Sequence, residues 1–320
     1  MTSTVLLTGA TGFVGRAVLS SLVARADRVR AAVRCASALD ARVATFQIDA
    51  LDGDTQWQAG LEGVEVVIHS AARVHVMNDK EADPLSAFRR VNVEGTLNLA
   101  RQAVAAGVRR FIFISSIKVN GEGTPVGRPY RADDVPAPAD PYGVSKMEAE
   151  QGLRVLAEQT GLEVVIIRPV LVYGPGVKAN FLAMMRWLRK GVPLPFGAIN
   201  NRRSLVALDN LVDLVLTCMV HPAAANETFL VSDGEDLSTT DLLKRMARAL
   251  GTSARLLPVP AILLTLGATL LGKRSLSQRL CGSLQVDIEK TRTLLGWVPP
   301  VGVDQALAQA ARHFQDNVNK

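Results

Sequence analysis

Apolar positions along the chain fall into short unbroken runs separated by longer amphipathic stretches. Val5 to Leu7, Val29 to Val33, Thr45 to Ile48, Val64 to Ile68, Phe111 to Ser115 and Val164 to Ile167 form the runs. Between them the spacing is helical, as in Val14, Val18, Leu19, Leu22 and Val23, and over Pro84 to Ala106 and Tyr142 to Thr160. Runs without polar alternation suit strands covered on both faces, and helices between them suit crossovers, so the pattern predicts a parallel sheet built from βαβ units. After Pro169 the alternation loosens. Turns rich in Gly and Pro separate helical patterns over Phe181 to Arg189, Asn210 to Met219, Thr239 to Leu250 and Gln305 to Phe314. The fold expected is therefore α/β: a doubly wound parallel sheet over residues 1–168, then a smaller, irregular α/β lobe over 169–320 with some segments returning to the sheet. One stretch stands apart, Val259 to Gly272, which is apolar and uncharged. It is shorter than the ~20 residues that cross a bilayer. A packed core helix is expected there, with association at a membrane surface as the alternative.

Composition narrows the class. Hydrophobic residues make up 48% and charged residues 21% of 320, as in soluble globular chains. The net charge of +6 comes from scattered arginines, many in pairs, without an aromatic-interleaved basic patch, so an anionic small molecule explains it better than nucleic acid does. Three cysteines, none in a CxxC, oppose a disulfide framework, and the four histidines show no metal-ligand spacing. A strand begins almost at the first residue, leaving no room for a signal peptide, and a cytoplasmic enzyme is expected.

Two local patterns carry chemistry. TGATGFVG, Thr8 to Gly15, places Gly9, Gly12 and Gly15 between a strand and a helix. Missing Cβ atoms let a pyrophosphate approach such a turn, and the helix N-terminus turns N–H groups toward it. The second pattern is YGVSK, which puts Tyr142 and Lys146 four residues apart on one helix face. A phenol with a pKa of about 10 needs a shift of roughly three units, or ~4 kcal/mol, to exchange protons near neutrality. An ammonium and a cationic nicotinamide in a dry pocket supply that stabilisation. The loop from Gly121 to Pro141 lies between the fifth strand and this helix, where active-site loops of doubly wound sheets sit.

With these motifs stand Asp49 after the third strand, HSAA at His69 to Ala72, VNVEGT around Asn92, SSIKVNG from Ser115, RPVLVYGPG from Arg168 and RRSLVALDNLVD from Arg202. In this order they resemble the extended short-chain dehydrogenase/reductases, the NAD-dependent epimerase/dehydratase family, over nearly the whole chain. The resemblance implies a Rossmann sheet and a set of roles. Ser116 corresponds to the residue that hydrogen-bonds the substrate oxygen, Tyr142 to the acid/base, and Lys146 to the residue that holds the nicotinamide ribose and lowers the tyrosine pKa. Gly9, Thr11, Gly12, Phe13, Val14 and Gly15 correspond to the pyrophosphate turn. Asp49 and Ala50 fall at the adenine, Ala71 and Ala72 under the cofactor, and Pro169 beside it. Asn92 corresponds to the helix residue that bonds the backbone after the fourth strand. Lys118, Asn180, Arg203 and Arg279 form the substrate set, Arg203 as the arginine that pairs with a nucleotide diphosphate.

Two departures shape the functional expectation. Where many sugar-nucleotide epimerases carry Tyr-Gly after the fifth strand, this chain has Asn120-Gly121 near Lys118. Where an acidic residue would bind the ribose 2′-hydroxyl of NAD, it has Val33-Arg34, and arginine suits a 2′-phosphate. NADP(H) is therefore the expected cofactor, with NAD(H) as the alternative. The reaction expected is hydride transfer at C4 of a UDP-sugar, first as NADPH-dependent reduction of UDP-4-keto-6-deoxy-N-acetylglucosamine in surface-polysaccharide synthesis. The alternative is a UDP-glucose or UDP-N-acetylglucosamine 4-epimerase with bound NAD. A small-carbonyl reductase and a non-catalytic dinucleotide sensor rank below both. A homodimer is expected, because Leu97, Val104, Leu153 and Leu156 are too many for one subunit's helix faces to bury.

Overall fold

The computed structural model describes residues 3–35, 39–74, 83–270, 278 and 280–318. Seven parallel strands make the main sheet: β1 (Thr4–Thr8), β2 (Arg28–Val33), β3 (Ala44–Gln47), β4 (Val66–His69), β5 (Arg110–Ile114), β6 (Glu163–Pro169) and, later in the chain, β9 (Thr228–Val231). Their order is β3-β2-β1-β4-β5-β6-β9, so the winding reverses between β1 and β4. Ligands of such sheets bind outside the strand carboxyl ends at that reversal. The unbroken apolar runs are explained by burial on both faces. In β1, Val5 and Leu7 enter one core layer and Leu6 the other; in β5, Ile112 and Ile114 face one and Phe111 and Phe113 the other.

The crossovers are helices α1 (Phe13–Ala24), α2 (Gln58–Leu61), α3 (Pro84–Arg89), α4 (Gly95–Ala105) and α5 (Pro141–Thr160). The single helix expected from Pro84 to Ala106 is interrupted by a π turn over Arg90–Glu94, which carries the buried Asn92. Such turns recur at functional sites, because the extra residue re-aims a side chain.

The second lobe pairs β7 (Leu171–Tyr173) with β8 (Arg203–Ala207), and β8 with β10 (Asp236–Leu237). With them go α6 (Ala179–Arg189), α8 (Thr239–Ala249), α9 (Ala261–Leu270) and α11 (Val303–Val318), while α7 (Leu208–Val220) and α10 (Glu289–Leu295) pack on the main-sheet core. A separate apolar cluster, including Phe181, Met185, Leu243, Leu307 and Phe314, forms this lobe's core. The chain returns to the main sheet within 208–231: α7 packs on the layer that holds Val5 and Ile112, and β9 extends the sheet beyond β6.

One expectation is corrected here. The Val259 to Gly272 stretch does not supply a core helix, since none of the residues of α9, Ala261–Leu270, is buried. The error comes from counting apolar residues along a helix without knowing which neighbours cover them. Of the helix-face residues on which a homodimer is expected, Leu153 is fully buried against the sheet, and Leu97, Val104 and Leu156 pack on the same core layer but stay partly exposed.

A buried ion pair fixes the active half of the sheet. Glu150 on α5 and Arg168 on β6 are essentially inaccessible, and Arg168 donates to both carboxylate oxygens at 2.9 and 2.6 Å. Ser115 donates to the same carboxylate at 2.5 Å and Arg154 at 3.0 Å. Arg168 also donates to Asn120 Oδ1 and to the Ala132 carbonyl. Removing one member strands a buried charge, a loss of ~3–5 kcal/mol. Arg168→Met is therefore expected to lower the unfolding free energy by about that amount, and Glu150→Gln combined with it to cost less than the two single losses together. Urea denaturation of the three variants checks this.

Candidate active site

The site is assembled at the carboxyl edge of the sheet. After β1 the chain turns at Gly9 with φ +74°, a left-handed conformation, and Gly12 N–H closes the turn on the Gly9 carbonyl at 2.8 Å. A Cβ on Gly9 would lie 2.8 Å from Ala71 N, and one on Gly15 only 2.1 Å from Gly9 O. The turn is thus pressed between the end of β4 and the first turn of α1, leaving Thr11 and Gly12 exposed above it. Phe13 and Val14 are half-buried beneath. Glycines without space for a side chain, next to a free helix N-terminus, are what a pyrophosphate cradle requires. These residues fit a dinucleotide.

Neighbouring strand ends continue that edge. Ile48 N–H donates to the Val33 carbonyl, so Arg34 after β2 and Asp49 and Ala50 after β3 emerge side by side, all exposed. At the end of β4, His69 lies between Thr8 Oγ1 at 2.8 Å and Thr96 Oγ1 at 3.0 Å. Burial, aided by the charge on Lys146, holds its pKa down at about 3, so it is a neutral strut. Ala71 and Ala72 follow it, half-buried. Asn92 accepts from Arg73 N–H at 2.8 Å, and donates to the Arg73 carbonyl and to Ser145 Oγ, each at 3.0 Å. It thereby clasps the chain after β4 to α5.

Helix α5 begins with Asp140 as N-cap, accepting from Gly143 N–H at 2.7 Å, and Pro141 in its first turn. That start sets Tyr142 at the cavity wall, hydrogen-bonded to Ser116 just past β5. Lys146 lies one turn deeper and buried. Its Nζ donates to the Ile114 carbonyl at 2.7 Å and sits 4.1 Å from the centre of the Phe113 ring. Lys146 is not among the groups that set the Tyr142 pKa in the chain by itself. Burial first, then the Asp140 carboxylate, push the phenol up to about 12, opposed by the Ser116 hydrogen bond. Burial also brings Lys146 down to about 7, the Glu150 charge opposing. The physical reason is that the ammonium is turned to a backbone carbonyl in a dry layer, so the chain's own residues leave Tyr142 a protonated acid at neutral pH.

A cavity of about 560 Å³ opens between the two lobes. Phe13, Ser116, Lys118, Tyr142, Pro169, Asn180 and Arg203 all line it, although they come from widely separated parts of the chain. Asn180 is exposed on the first turn of α6, and Arg203, half-buried on β8, donates to the Gly282 carbonyl at 3.1 Å. Lys118 is already engaged, with Glu122 at 3.0 Å and with Asp140, so it braces the α5 N-cap as well as facing the cavity. Arg279 lies outside the described residues. The sequence reading missed Lys178, Thr239 and Gln278, which also line the cavity, because no local motif marks residues recruited by tertiary packing. It missed Glu150 and Arg168 too. Their signal was present, since Tyr142, Lys146 and Glu150 repeat every four residues along one stripe of α5.

A glycine cradle at the winding reversal, a Ser-Tyr-Lys group on the next crossovers and a second lobe over the cavity are the parts of a nicotinamide-dependent oxidoreductase. The chain belongs to the NAD dependent epimerase/dehydratase family, whose profile matches residues 5–232. It is 51% identical to a UDP-glucose 4-epimerase of Vibrio cholerae, over 100% of this chain and 98% of that one. It is 27% identical to the N-acetyl-alpha-D-glucosaminyl-diphospho-ditrans,octacis-undecaprenol 4-epimerase of Escherichia coli O157:H7, over 98% and 96%. Its fold matches that of the Thermotoga maritima UDP-glucose 4-epimerase with UDP-glucose, at TM-score 0.76, 23% identity and coverage of 98% and 99%. The protein is a nucleotide-sugar oxidoreductase of the epimerase/dehydratase type.

Gly15→Ala tests the cradle. The added methyl has no space, so stability is expected to fall by ~1–3 kcal/mol. Thermal denaturation with and without NAD is expected to show a lower midpoint and loss of the shift that NAD gives the parent chain.

Proposed function

We propose that the chain is a UDP-sugar 4-epimerase, acting on a UDP-hexose or UDP-N-acetylhexosamine. The observation that carries this reading is that one interlobe cavity is lined by the hydrogen-bonded Ser116 and Tyr142 and also by Arg203 and Asn180. The 51% identity to the Vibrio cholerae enzyme along the whole chain supports the 4-epimerase over the ketoreductase. The glycine turn, Asp49, Ala71 and Lys146 are assigned to the dinucleotide, Ser116 and Tyr142 to the sugar O4, and Arg203 to the diphosphate.

A nicotinamide held there supplies the chemistry of taking a hydride from C4 and returning it. The residues of the chain handle the proton and the geometry. Ser116 donates to the sugar oxygen, and Tyr142 exchanges the O4 proton. Tyr142 must lose its own proton to act as a base, and the positive charge of an oxidised nicotinamide favours that loss where Lys146 by itself does not. The largely apolar walls, including Ile117, Val170, Phe181 and Leu205, exclude water from the reacting carbon.

Net reduction of a UDP-4-keto sugar by NADPH is the second reading, supported by Arg34 standing exposed at the end of β2 where a 2′-phosphate would lie. One experiment separates the two. Purified protein is given UDP-glucose and UDP-N-acetylglucosamine without added reductant, and separately UDP-4-keto-6-deoxy-N-acetylglucosamine with NADPH. Inversion at C4 of the first pair is expected. Stoichiometric NADPH oxidation on the keto sugar, with no inversion, would replace the epimerase by the reductase.

Tyr142→Phe removes one hydroxyl and is expected to lower kcat by ~10²–10⁴-fold, with NAD binding retained. Arg203→Ala removes a charge-assisted contact worth ~1.5–3 kcal/mol, so KM for the UDP-sugar is expected to rise about tenfold or more while the Kd for NAD stays. Steady-state kinetics and calorimetric titration of the two variants measure these effects.

A further inference from the structure

The charge of the chain is divided more sharply than its net value suggests. Residues 164–208 and 242–286 contain fourteen lysines and arginines and no aspartate or glutamate, whereas the other 230 residues hold 22 basic and 30 acidic ones. These two stretches meet in the second lobe. Leu194 N–H donates to the Arg255 carbonyl and Leu257 N–H to the Leu194 carbonyl, each at 2.8 Å, so the segment entering α9 runs beside the one leaving α6. Arg186, Arg189 and Lys190 are exposed at the end of α6, Arg189 over the Phe314 ring, and Arg255 is exposed before α9.

Amid this basic ground α9 is wholly uncharged, and its apolar residues face water. Ile262, Leu263, Leu266 and Leu270 are 68, 56, 56 and 88% exposed. Their spacing puts all four within about 100° of the helix circumference. The opposite side, with Leu264 and Ala268, is the one that is partly covered. Leu257, in the segment entering α9, and Trp187 near the end of α6 are also exposed, at 51 and 42%. A monomeric soluble protein does not ordinarily leave such a contiguous patch uncovered. The helix is about 15 Å long, too short to span a bilayer and long enough to lie along its surface.

We propose that this face docks on an anionic lipid bilayer, with the exposed side of α9 and Trp187 at the depth of the headgroups and the surrounding arginines and lysines on lipid phosphates. An apolar strip rimmed by cations, with a tryptophan beside it, is the surface that an interfacial helix presents. The lack of any acidic residue in both stretches lowers the repulsion that such a membrane would otherwise exert. A second copy of the chain fits less well, because two such faces would oppose cation to cation. Docking would also orient the active site. Thr265 on α9 hydrogen-bonds Cys281, and the flanking Leu280 lines the substrate cavity, so the cavity wall on that side adjoins the docked helix. The inference stands on the surface of the second lobe and is independent of the sugar that is turned over.

The full-length protein is sedimented with vesicles of phosphatidylcholine and with vesicles of equimolar phosphatidylcholine and phosphatidylglycerol. About tenfold more is expected to sediment with the mixed vesicles at low salt, and to be released by high salt. Of the three tryptophans, Trp57 and Trp297 are buried and Trp187 is exposed, so a blue shift of the emission on adding mixed vesicles reports this face. Leu263→Glu combined with Leu266→Glu is expected to abolish sedimentation and the blue shift, with unchanged thermal midpoint and turnover. A second variant, Arg189→Ser with Lys190→Ser, is expected to weaken binding to the mixed vesicles severalfold. No sedimentation of the parent chain, or equal sedimentation with both vesicle types, would overturn the proposal. So would a dimer, seen by light scattering, that the glutamate pair dissociates in the absence of vesicle binding.

Discussion

The pairing of Glu150 with Arg168 is the constraint on which the active half of the molecule depends. Two charges withdrawn from water are tolerable only if every donor and acceptor around them is matched. Matching them here takes Ser115 after β5, Arg154 on α5, Asn120 and the Ala132 carbonyl in the following loop, and Arg168 on β6. The network therefore sets the register of α5 against two strand ends and a loop at once. Lys146 and Tyr142 lie one and two turns nearer the start of the same stripe, so their depth follows from where Glu150 must sit. Asp140 completes the arrangement by capping the helix and holding Lys118 at the cavity edge.

The site that results carries little free charge at its centre. His69 is neutral between two threonines, Lys146 is driven toward neutrality by burial, and Tyr142 keeps its proton. In such surroundings a cationic ring shifts proton affinities strongly, because few mobile charges or waters screen it. Basic groups lie farther out, with Arg34 exposed after β2 and Arg203 half-buried on β8 at the cavity lining. The division suits a reaction in which hydride and proton move inside while the phosphates are held outside.

The two lobes differ in their charge as well as in their order. Residues 1–168 hold 19 basic and 19 acidic residues and residues 169–320 hold 17 and 11, and the stretches 164–208 and 242–286 carry only basic ones. The proposed attractions, toward a diphosphate and toward an anionic surface, draw on the same asymmetry, and both would weaken as salt rises.

Much was legible in the sequence because the chemistry is local. The glycine turn follows from the backbone geometry that Gly9 and Gly15 alone permit, and the strands from apolar runs that only a doubly covered sheet accommodates. Tyr142 and Lys146 were readable from their spacing, and the order of motifs along the chain indicated the family. What composition and periodicity could not carry was which surfaces cover which. Leu153 is packed wholly on the sheet while Leu97, Val104 and Leu156 stay partly exposed, and α9 read as core and lies open. Nor could spacing reveal that Lys146 turns to the Ile114 carbonyl, since the partner is thirty-two residues away and the direction is chosen by burial. Hydrophobicity measures the tendency of a residue to leave water. Whether it does so is decided by long-range packing, and in this chain that packing leaves one apolar helix exposed and buries four charged residues, Glu150, Arg168, Lys146 and Arg110, in full.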